Sequence, residues 1–238
     1  MIKNINLLLN ILHKKFLSSK KKYYSFSGVD IIVNNIFRNK KKGFYLDIGC
    51  QHPVNNNNTF LLHKKGWEGV NIDLDKDNID LFNFSRPNDH NVCQAISSSI
   101  KDVDLFFYHK KSPINTIEKK VSNFQTAKVK KIKKIKTNTL NNVLNTSRFK
   151  NNKFDLMSVD VEGHELDVFL GFDFQKYDPS VIIVEFLDLS LDKIEIKNQN
   201  INKIIESDIF KYLVSKNYKL VNFIYADLIF VKNNNSKI

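Results

Sequence analysis

The sequence predicts an α/β domain built on a mostly parallel sheet with helices packed around it. Two observations carry this prediction. Short apolar segments that end on acidic residues alternate with amphipathic segments at helical spacing. This alternation is typical of β–α–β units, whose crossovers are right-handed. The 238 residues, of which 42% are apolar, are enough for one such domain and its core.

The amino-terminal half of the sequence predicts strands separated by helices. Residues 28–38 predict a helix, and "FYLDI" at 44–48 predicts the first core strand. A helix at 57–65 would begin in an asparagine cluster, because Asn is a good cap, and would end at Gly66. The next predicted elements are a strand at 67–75, a helix at 76–85 and a strand at 91–96.

The segment 100–137 departs from this alternation. Its second half, "AKVKKIKKIKT", alternates apolar residues with lysine. Such a strand has one apolar and one charged face, so we expect it at a solvated edge of a sheet. The parallel pattern then returns, with a helix at 139–149, a strand at 154–160, a helix at 163–172, a strand at 179–189, a helix at 202–217 and a closing hairpin at 218–232.

The amino terminus predicts an arm over 1–24, followed by a catalytic domain over 25–238. Residues 1–22 form a basic amphipathic pattern. We expect this helix to pack on the domain or on a second subunit of a homodimer, and the alternative is a peripheral contact with a membrane surface. No run of 18 apolar residues exists to span a bilayer, and two cysteines do not build a disulfide framework. The expected location is therefore the cytoplasm, with membrane contact as the alternative.

The net charge of +12 raises the question of a nucleic-acid partner. The lysines are spread over the whole chain, and aromatic residues that would stack on bases do not alternate with them. We therefore expect no nucleic-acid partner, although the charge favours an anionic substrate or surface.

Candidate ligand-binding residues follow the predicted strands, because ligands of an open α/β sheet lie beyond the carboxyl ends of its strands. The residues at these ends are Asp47, Gly49, Gln51 and His52 after the first strand, Asp73 and Asp75 after the second, Ala95, Ile96 and Ser97 after the third, Asp160, Glu162 and His164 after the fourth, and Glu185 on the fifth.

The spacing of these residues points to a nucleoside cofactor. Asp73 lies 24 residues after Gly49, the spacing at which an acid accepts hydrogen bonds from a ribose diol. Gly49 allows close backbone approach, but the several glycines of a phosphate-binding loop are missing. A cofactor with a ribose and no pyrophosphate is therefore expected. S-adenosylmethionine meets that description, and Asp47 would face its cationic methionine part.

Three stretches resemble the FkbM-type S-adenosylmethionine-dependent methyltransferases. They are "DIGCQHPVNNNNTFLLHKKGWEGVNIDLDKDNIDLFNFSRP", "INT" at 114–116 and "FDLMSVDVEGHELDVFLGFD". The resemblance runs from about Ser25 to the end. It implies a Rossmann-like class I methyltransferase fold, with a mostly parallel seven-stranded sheet, an antiparallel carboxyl-terminal hairpin and helices on both faces.

The resemblance also assigns roles to residues. It implies a cofactor loop at Asp47, Gly49 and Gln51, a ribose-binding acid at Asp73, and a fourth-strand motif of Asp160, Glu162 and Glu165. The full set of expected cofactor contacts is Asp47, Gly49, Cys50, Gln51, Thr59, Asp73, Leu74, Ala95, Ile96 and Asp160.

The expected activity is O-methylation of a sugar, glycan or other small molecule, and the family resemblance links it to surface polysaccharide synthesis. Four residues are candidates for the base that removes the hydroxyl proton: Asp160, Glu162, His164 and His52. His164 could instead be a surface residue, His52 a turn residue, and Glu162 a partner of backbone donors at a helix start.

A metal, a different substrate and a loss of catalysis are the remaining alternatives. Asp160 and Glu185 could offer oxygen ligands to Mg²⁺, but the sequence shows no dense cluster that would assign a metal. A nucleic-acid methyltransferase and a non-catalytic scaffold are the alternative functions. We expect the acceptor pocket to include parts of 98–127.

Overall fold

The structure is a computed structural model that describes residues 23–191 and 195–233. The predicted amphipathic helix at 1–22 lies outside the described residues, so its packing or membrane role stays a prediction. Within the described part of the chain, no helix is long and apolar enough to cross a membrane.

The described strands and helices follow the predicted alternation in most places. The strands are β1 (Phe44–Ile48), β2 (Glu68–Asp73), β3 (His90–Cys93), β4 (Ala95–Ile96), β5 (Asp102–Phe107), β6 (Lys131–Asn138), β7 (Leu156–Val159), β8 (Val181–Glu185), β9 (Tyr218–Ile224) and β10 (Asp227–Lys232). The helices are α1 (Val29–Ile36), α2 (Phe60–His63), α3 (Lys76–Ser85), α4 (Lys119–Phe124), α5 (Leu140–Thr146), α6 (Glu165–Leu170), α7 (Phe174–Tyr177), α8 (Ile201–Glu206) and α9 (Asp208–Ser215), with a 3₁₀ turn at Ile196–Asn198.

Seven strands form the main sheet in the order β3-β2-β1-β7-β8-β10-β9. The pairs from β3 to β8 are parallel, and β10 runs antiparallel to both β8 and β9. This arrangement confirms the predicted fold class, including the carboxyl-terminal hairpin. The chain leaves β1 toward β2 and β3, and later returns to β7 on the other side of β1. The carboxyl ends of β1 and β7 therefore flank the crevice where α/β folds bind ligands.

Apolar side chains cover both faces of this sheet, as the predicted helix layers require. Leu156 and Met157 are neighbours in β7 and fully buried, yet they belong to two different core clusters. Successive side chains of a strand point to opposite faces, so a strand buried on both sides reads as a continuous apolar run. Because the strands are buried on both faces, their ends, where the site lies, are held in fixed positions.

The predicted strand at 91–96 is wrong in one respect, because it divides at Gln94. β3 pairs with β2 as far as Cys93, opposite Asp73, and β4 then pairs with β6 in a separate three-stranded sheet of order β4-β6-β5. The Gln94 amide still donates to the Asp73 carbonyl (2.9 Å). The break therefore occurs where the chain passes from one sheet to the other.

The lysine-rich strand β6 is also placed differently from the prediction. It is the middle strand of the small sheet, where β5 pairs with residues 131–136 and β4 pairs with Thr137 and Asn138. The expectation of an edge strand is therefore wrong at Thr137 and Asn138, whereas residues 131–136 pair with β5 alone among the described strands. The expectation of a solvated charged face is supported, because Lys131, Lys134 and Lys136 are exposed.

Two predicted helices are shorter than their sequence patterns suggested. The pattern at 202–217 divides at Ser207, whose extended backbone ends α8 and whose hydroxyl accepts from the Phe210 amide (3.2 Å) to cap α9. The pattern at 57–65 yields only α2, because the side chains of Asn57 and Thr59 bond to Asp47 on β1 instead of capping the helix.

Candidate active site

A cleft opens at the carboxyl ends of β1, β2 and β7, where the strand order reverses. It holds about 670 Å³ of space including its open mouth. Seven of the residues predicted from the sequence line it, namely Gly49, Gln51, Asp73, Leu74, Ala95, Asp160 and Glu162. The structure therefore brings together residues that were predicted after the first four strands.

Gly49 forms the floor of this cleft and joins its two walls. Its backbone is left-handed (φ 81°), and its amide donates to the Ile72 carbonyl (2.8 Å). A Cβ atom at this position would lie 1.6 Å from the Asp160 carbonyl oxygen. The loop after β1 can therefore approach the loop after β7 only because residue 49 has no side chain.

The Asp73 carboxylate is held by two backbone donors and still has positions free to accept further hydrogen bonds. Its Oδ2 accepts from the Gln51 amide (2.9 Å), and its Oδ1 accepts from the Asp75 amide (2.7 Å). A carboxylate has about four acceptor positions, so room remains for the two hydroxyls of a ribose. Burial raises the pKa of Asp73 to about 6.

Asp47 does not face the cleft, which corrects its predicted contact with the methionine part of the cofactor. Its buried carboxylate accepts from the Thr59 hydroxyl (2.7 Å) and the Asn57 side-chain amide (3.1 Å), and burial raises its pKa. Cys50 packs against Ile79 and Phe82. Asp47 and Cys50 therefore stabilise the loop after β1. Their side chains lie behind the cleft wall that this loop forms.

The same correction applies to the other residues that were expected to touch the cofactor and do not line the cleft. Thr59 is completely buried and belongs to the hydrogen-bond network of Asp47. Ile96 is a member of the main core cluster. Of the ten expected cofactor contacts, Asp47, Cys50, Thr59 and Ile96 are therefore supporting residues.

Arg86 is a supporting residue to which the sequence analysis gave no role. Arg86 follows α3, and a charged residue at the end of a helix is usually exposed to solvent. Only 1% of its surface is exposed, however. Its guanidinium donates to Thr59 Oγ1 (2.9 Å), to Asn57 Oδ1 (2.8 Å) and to the Pro53 carbonyl. Arg86 thus anchors the loop after β1 from three sides.

We expect Arg86→Lys to lower the free energy of unfolding by about 2–4 kcal/mol, because a lysine cannot reproduce the planar fork and leaves buried acceptors unpaired. Urea titration measures the loss. Arg148→Lys is the matched control, since Arg148 is an exposed arginine that pairs with Glu68 and should change stability by less than about 1 kcal/mol. Equal losses in the two variants would contradict the anchoring role of Arg86.

The segment after β7 is shaped by Glu165 and Thr116. Glu165 is buried, and its Oε1 accepts from the amides of Val161 and Gly163 (both 3.0 Å). The Thr116 hydroxyl donates to the Glu162 carbonyl (2.8 Å), and Glu162 has a left-handed backbone (φ 57°). Glu165 therefore satisfies the backbone donors that were considered for Glu162, and the Glu162 side chain lines the cleft.

The two histidines proposed as bases are occupied elsewhere. His164 is buried, with Nδ1 bonded to a Glu118 carboxylate oxygen and Nε2 lying 3.0 Å from the Ser97 hydroxyl. His52 Nδ1 accepts from the amides of Val54 (3.1 Å) and Asn55 (3.0 Å) in a turn. Neither ring lines the cleft. The structure thus does not support a base role for either, which leaves Asp160 and Glu162.

Asp160 and Glu162 form an acidic cluster with Glu185. One carboxylate oxygen from each lies within 4.8 Å of the others. Burial, followed by repulsion from neighbouring carboxylates, raises the pKa of Asp160 to about 8 and that of Glu162 to about 9. It also raises the pKa of Glu185 well above its ordinary value. In its ionised form such a cluster can accept a proton or bind a cation.

The outer wall of the cleft comes from the segment between β5 and α4. Ser112, Pro113 and Asn115 line the cleft. Asn115 is held by two bonds, from the Tyr108 amide to its Oδ1 (2.9 Å) and from its Nδ2 to the His109 carbonyl (3.0 Å). These positions fall within the 98–127 segment that was expected to build part of the acceptor pocket.

The lining residues fit S-adenosylmethionine. Asp73 offers acceptors for a ribose diol, and Gly49 leaves space that a Cβ would fill. The cleft lining among the described residues contains no lysine or arginine that would pair with a pyrophosphate. Gly49, Gln51, Asp73, Leu74 and Ala95 are therefore the residues that would hold this cofactor.

The match to a family model agrees with this interpretation. The sequence model of the Methyltransferase FkbM domain matches residues 47–220. No curated protein matches the chain. Among solved structures, the chain is similar to a TehB-like SAM-dependent methyltransferase from Corynebacterium glutamicum ATCC 13032 Kitasato, at 11% identity and a TM-score of 0.42, covering 97% of this chain and 100% of that chain. Because the family match extends over most of the chain, from Asp47 at the end of β1 into β9, the chain belongs to the FkbM methyltransferase family.

Proposed function

We propose that this S-adenosylmethionine-dependent methyltransferase methylates a hydroxyl group of a sugar, a glycan precursor or another small polyhydroxylated molecule. One observation carries the proposal. Asp73, whose carboxylate could accept hydrogen bonds from a ribose, lines the same cleft as Asp160 and Glu162, two carboxylates with raised pKa. A hydroxyl acceptor must lose a proton during methylation, and groups with pKa values near the working pH serve that task best.

The chemistry divides between cofactor and protein. S-adenosylmethionine supplies a methyl group on a sulfonium, which is already a good leaving group. The protein has to hold the acceptor oxygen in line with that methyl group and exclude water. As the new C–O bond forms and the C–S bond breaks, the hydroxyl proton passes to a carboxylate oxygen of Asp160 or Glu162. His164, held between Glu118 and Ser97, positions the start of α6.

The nucleic-acid alternative receives less support from the surface charges. The exposed lysines of β6 belong to the small sheet, and one of them, Lys134, pairs with Asp104 (2.7 Å). The aromatic ring beside them, Phe107, is covered by the Lys133 ammonium at 3.6 Å from the ring centroid. A covered ring offers no stacking platform for a base.

A transfer assay with methyl-labelled S-adenosylmethionine tests the proposed function. The acceptors are free sugars, nucleotide sugars, glycan precursors, single-stranded DNA and RNA. We expect label in the carbohydrate fraction as a methyl group that survives mild alkali, because an ether resists hydrolysis and a methyl ester does not. The variant Glu162→Gln should lose most of the transfer, and Glu206→Gln, an exposed acid on α8, should keep it. Label found only in nucleic acid would overturn the proposal.

A further inference from the structure

Three acidic side chains converge beside the cleft, at the carboxyl ends of β7 and β8. Asp160 follows β7 and Glu185 ends β8, and the pairing of Val159 with Val184 places them side by side. Glu162 completes the group, and one oxygen from each residue lies within 4.8 Å of the others. Oxygens bound to one divalent cation at about 2.0–2.6 Å lie at most about 4–5 Å apart, so this spacing fits a shared ion.

A second observation points to a ligand at the same place. The Oε2 atom of Glu185 is completely buried and has no hydrogen-bond partner in the described chain. A buried carboxylate oxygen without a hydrogen-bond donor lowers the stability of the fold, because it has lost its hydrogen bonds to water and has no protein donor in their place. Asp160, Glu162 and Glu185 also form no ion pair with a described lysine or arginine. Among the described residues, the cluster therefore lacks the positively charged partner that buried carboxylates ordinarily have.

We propose that Asp160, Glu162 and Glu185 bind one oxygen-preferring divalent cation of the Mg²⁺ or Mn²⁺ class, whose remaining coordination positions bind hydroxyl oxygens of the acceptor. The binding site stands on the geometry of the three carboxylates, and the acceptor contact rests on the proposed function. Because Asp160 and Glu162 line the cleft, the ion would be open to it. Mg²⁺ typically binds one or two carboxylates and keeps other positions for water or substrate oxygens.

The ion would change how the acceptor loses its proton. A hydroxyl oxygen bound to a divalent cation has a lowered pKa and a fixed direction toward the methyl group. Each carboxylate has two oxygens, so one can bind the ion while the other accepts the hydroxyl proton. The C–O bond then forms as the C–S bond of the cofactor breaks. The proton ends on Asp160 or Glu162, and no oxidant or reductant is needed.

Metal titration tests the site without any acceptor. Chelator-treated full-length protein is titrated with Mn²⁺, with the free ion measured by electron paramagnetic resonance and Mg²⁺ used as competitor. We expect one Mn²⁺ per chain and at least a tenfold weaker site in Glu185→Gln, while Glu206→Gln binds as wild type does. No Mn²⁺ bound at millimolar concentration, or equal binding by Glu185→Gln, would overturn the metal site.

Thermal unfolding separates loss of metal from loss of fold. In the absence of metal, Glu185→Gln should melt no lower than wild type, because it removes one of several crowded buried carboxylates. Added Mn²⁺ should raise the midpoint of wild type and leave the variant unchanged. A variant that melts well below the metal-free wild type would show that Glu185 is a structural residue, against the proposal.

The acceptor contact has its own readout. Methyl transfer to a carbohydrate should stop in excess chelator and return with Mg²⁺ or Mn²⁺. Transfer that continues in chelator would overturn the acceptor contact and leave the proposed function standing. Metal binding without transfer to any carbohydrate would instead reject the proposed acceptor class and leave the metal site standing.

Discussion

Replacing Asp73 with alanine is expected to weaken binding of S-adenosylhomocysteine by at least about 100-fold. The Asp73 carboxylate is held by the Gln51 and Asp75 amides and keeps acceptor positions for a ribose diol. Hydrogen bonds to a charged group contribute about 1.5–3 kcal/mol each, and every 1.4 kcal/mol is about a factor of ten in affinity. Isothermal titration calorimetry measures the change.

Two further variants make the Asp73 experiment specific. Asp73→Asn keeps the shape and one acceptor, so its affinity should lie between wild type and Asp73→Ala. Asp75→Asn is the control, because Asp75 caps α3 by accepting from the Asp77 amide (2.9 Å) and does not line the cleft. If Asp73→Asn bound the cofactor product as tightly as wild type, the ribose assignment would be wrong.

The raised pKa of Asp73 adds a pH dependence with a defined sign. The ionised carboxylate accepts both ribose hydroxyls, so the affinity should fall about tenfold per pH unit below about pH 6. The folded pKa exceeds the ordinary value of about 4, so ionisation of Asp73 costs folding free energy as the pH rises through 6. The stability of Asp73→Asn relative to wild type should therefore be greater at pH 8 than at pH 4.5, which urea titrations at both pH values measure.

Substitution of Gly49 by alanine is expected to prevent stable folding, with a loss above about 4 kcal/mol. The new Cβ would lie 1.6 Å from the Asp160 carbonyl oxygen. Relief of that collision requires the ends of β1 and β7 to separate. This movement would break the bond from the Asp160 amide to the Ile48 carbonyl (2.9 Å) and open the cleft floor. Soluble yield and urea titration report the loss.

Gly66→Ala separates the collision from backbone strain. Gly66 is also left-handed (φ 85°), but a Cβ there would meet no atom within 4 Å. Its substitution should cost only the strain of a left-handed alanine, about 1–2 kcal/mol. Similar losses in Gly49→Ala and Gly66→Ala would contradict the close contact between the two loops.

The residues that the sequence placed correctly in the fold are those whose position is set locally. The strands of the main sheet are continuous apolar segments, so periodicity located β1, β2, β7 and β8. Gly49 and Asp73 each stand directly after a strand, and the end of a parallel strand is where such a site forms. Local sequence patterns were therefore enough to predict the fold class and the residues at the centre of the cleft.

The wrong expectations concern residues whose partners are distant along the chain. His164 reads as an accessible base at a helix start, but its partners Glu118 and Ser97 lie 46 and 67 residues away. Arg86, to which the sequence analysis gave no role, likewise contacts Asn57 and Thr59, which are 29 and 27 residues away. Burial of polar groups depends on such tertiary contacts, which no local pattern shows.

The most direct test of the methyl-transfer site is a crystal structure of the protein grown with S-adenosylhomocysteine. The ribose hydroxyls should lie within hydrogen-bond distance of the Asp73 carboxylate, with the backbone of Gly49 and Gln51 against the ligand. Its sulfur should face the side of the cleft that carries Asp160 and Glu162. A ligand bound elsewhere, or a ribose that makes no contact with Asp73, would contradict the assignment of this cleft as the active site.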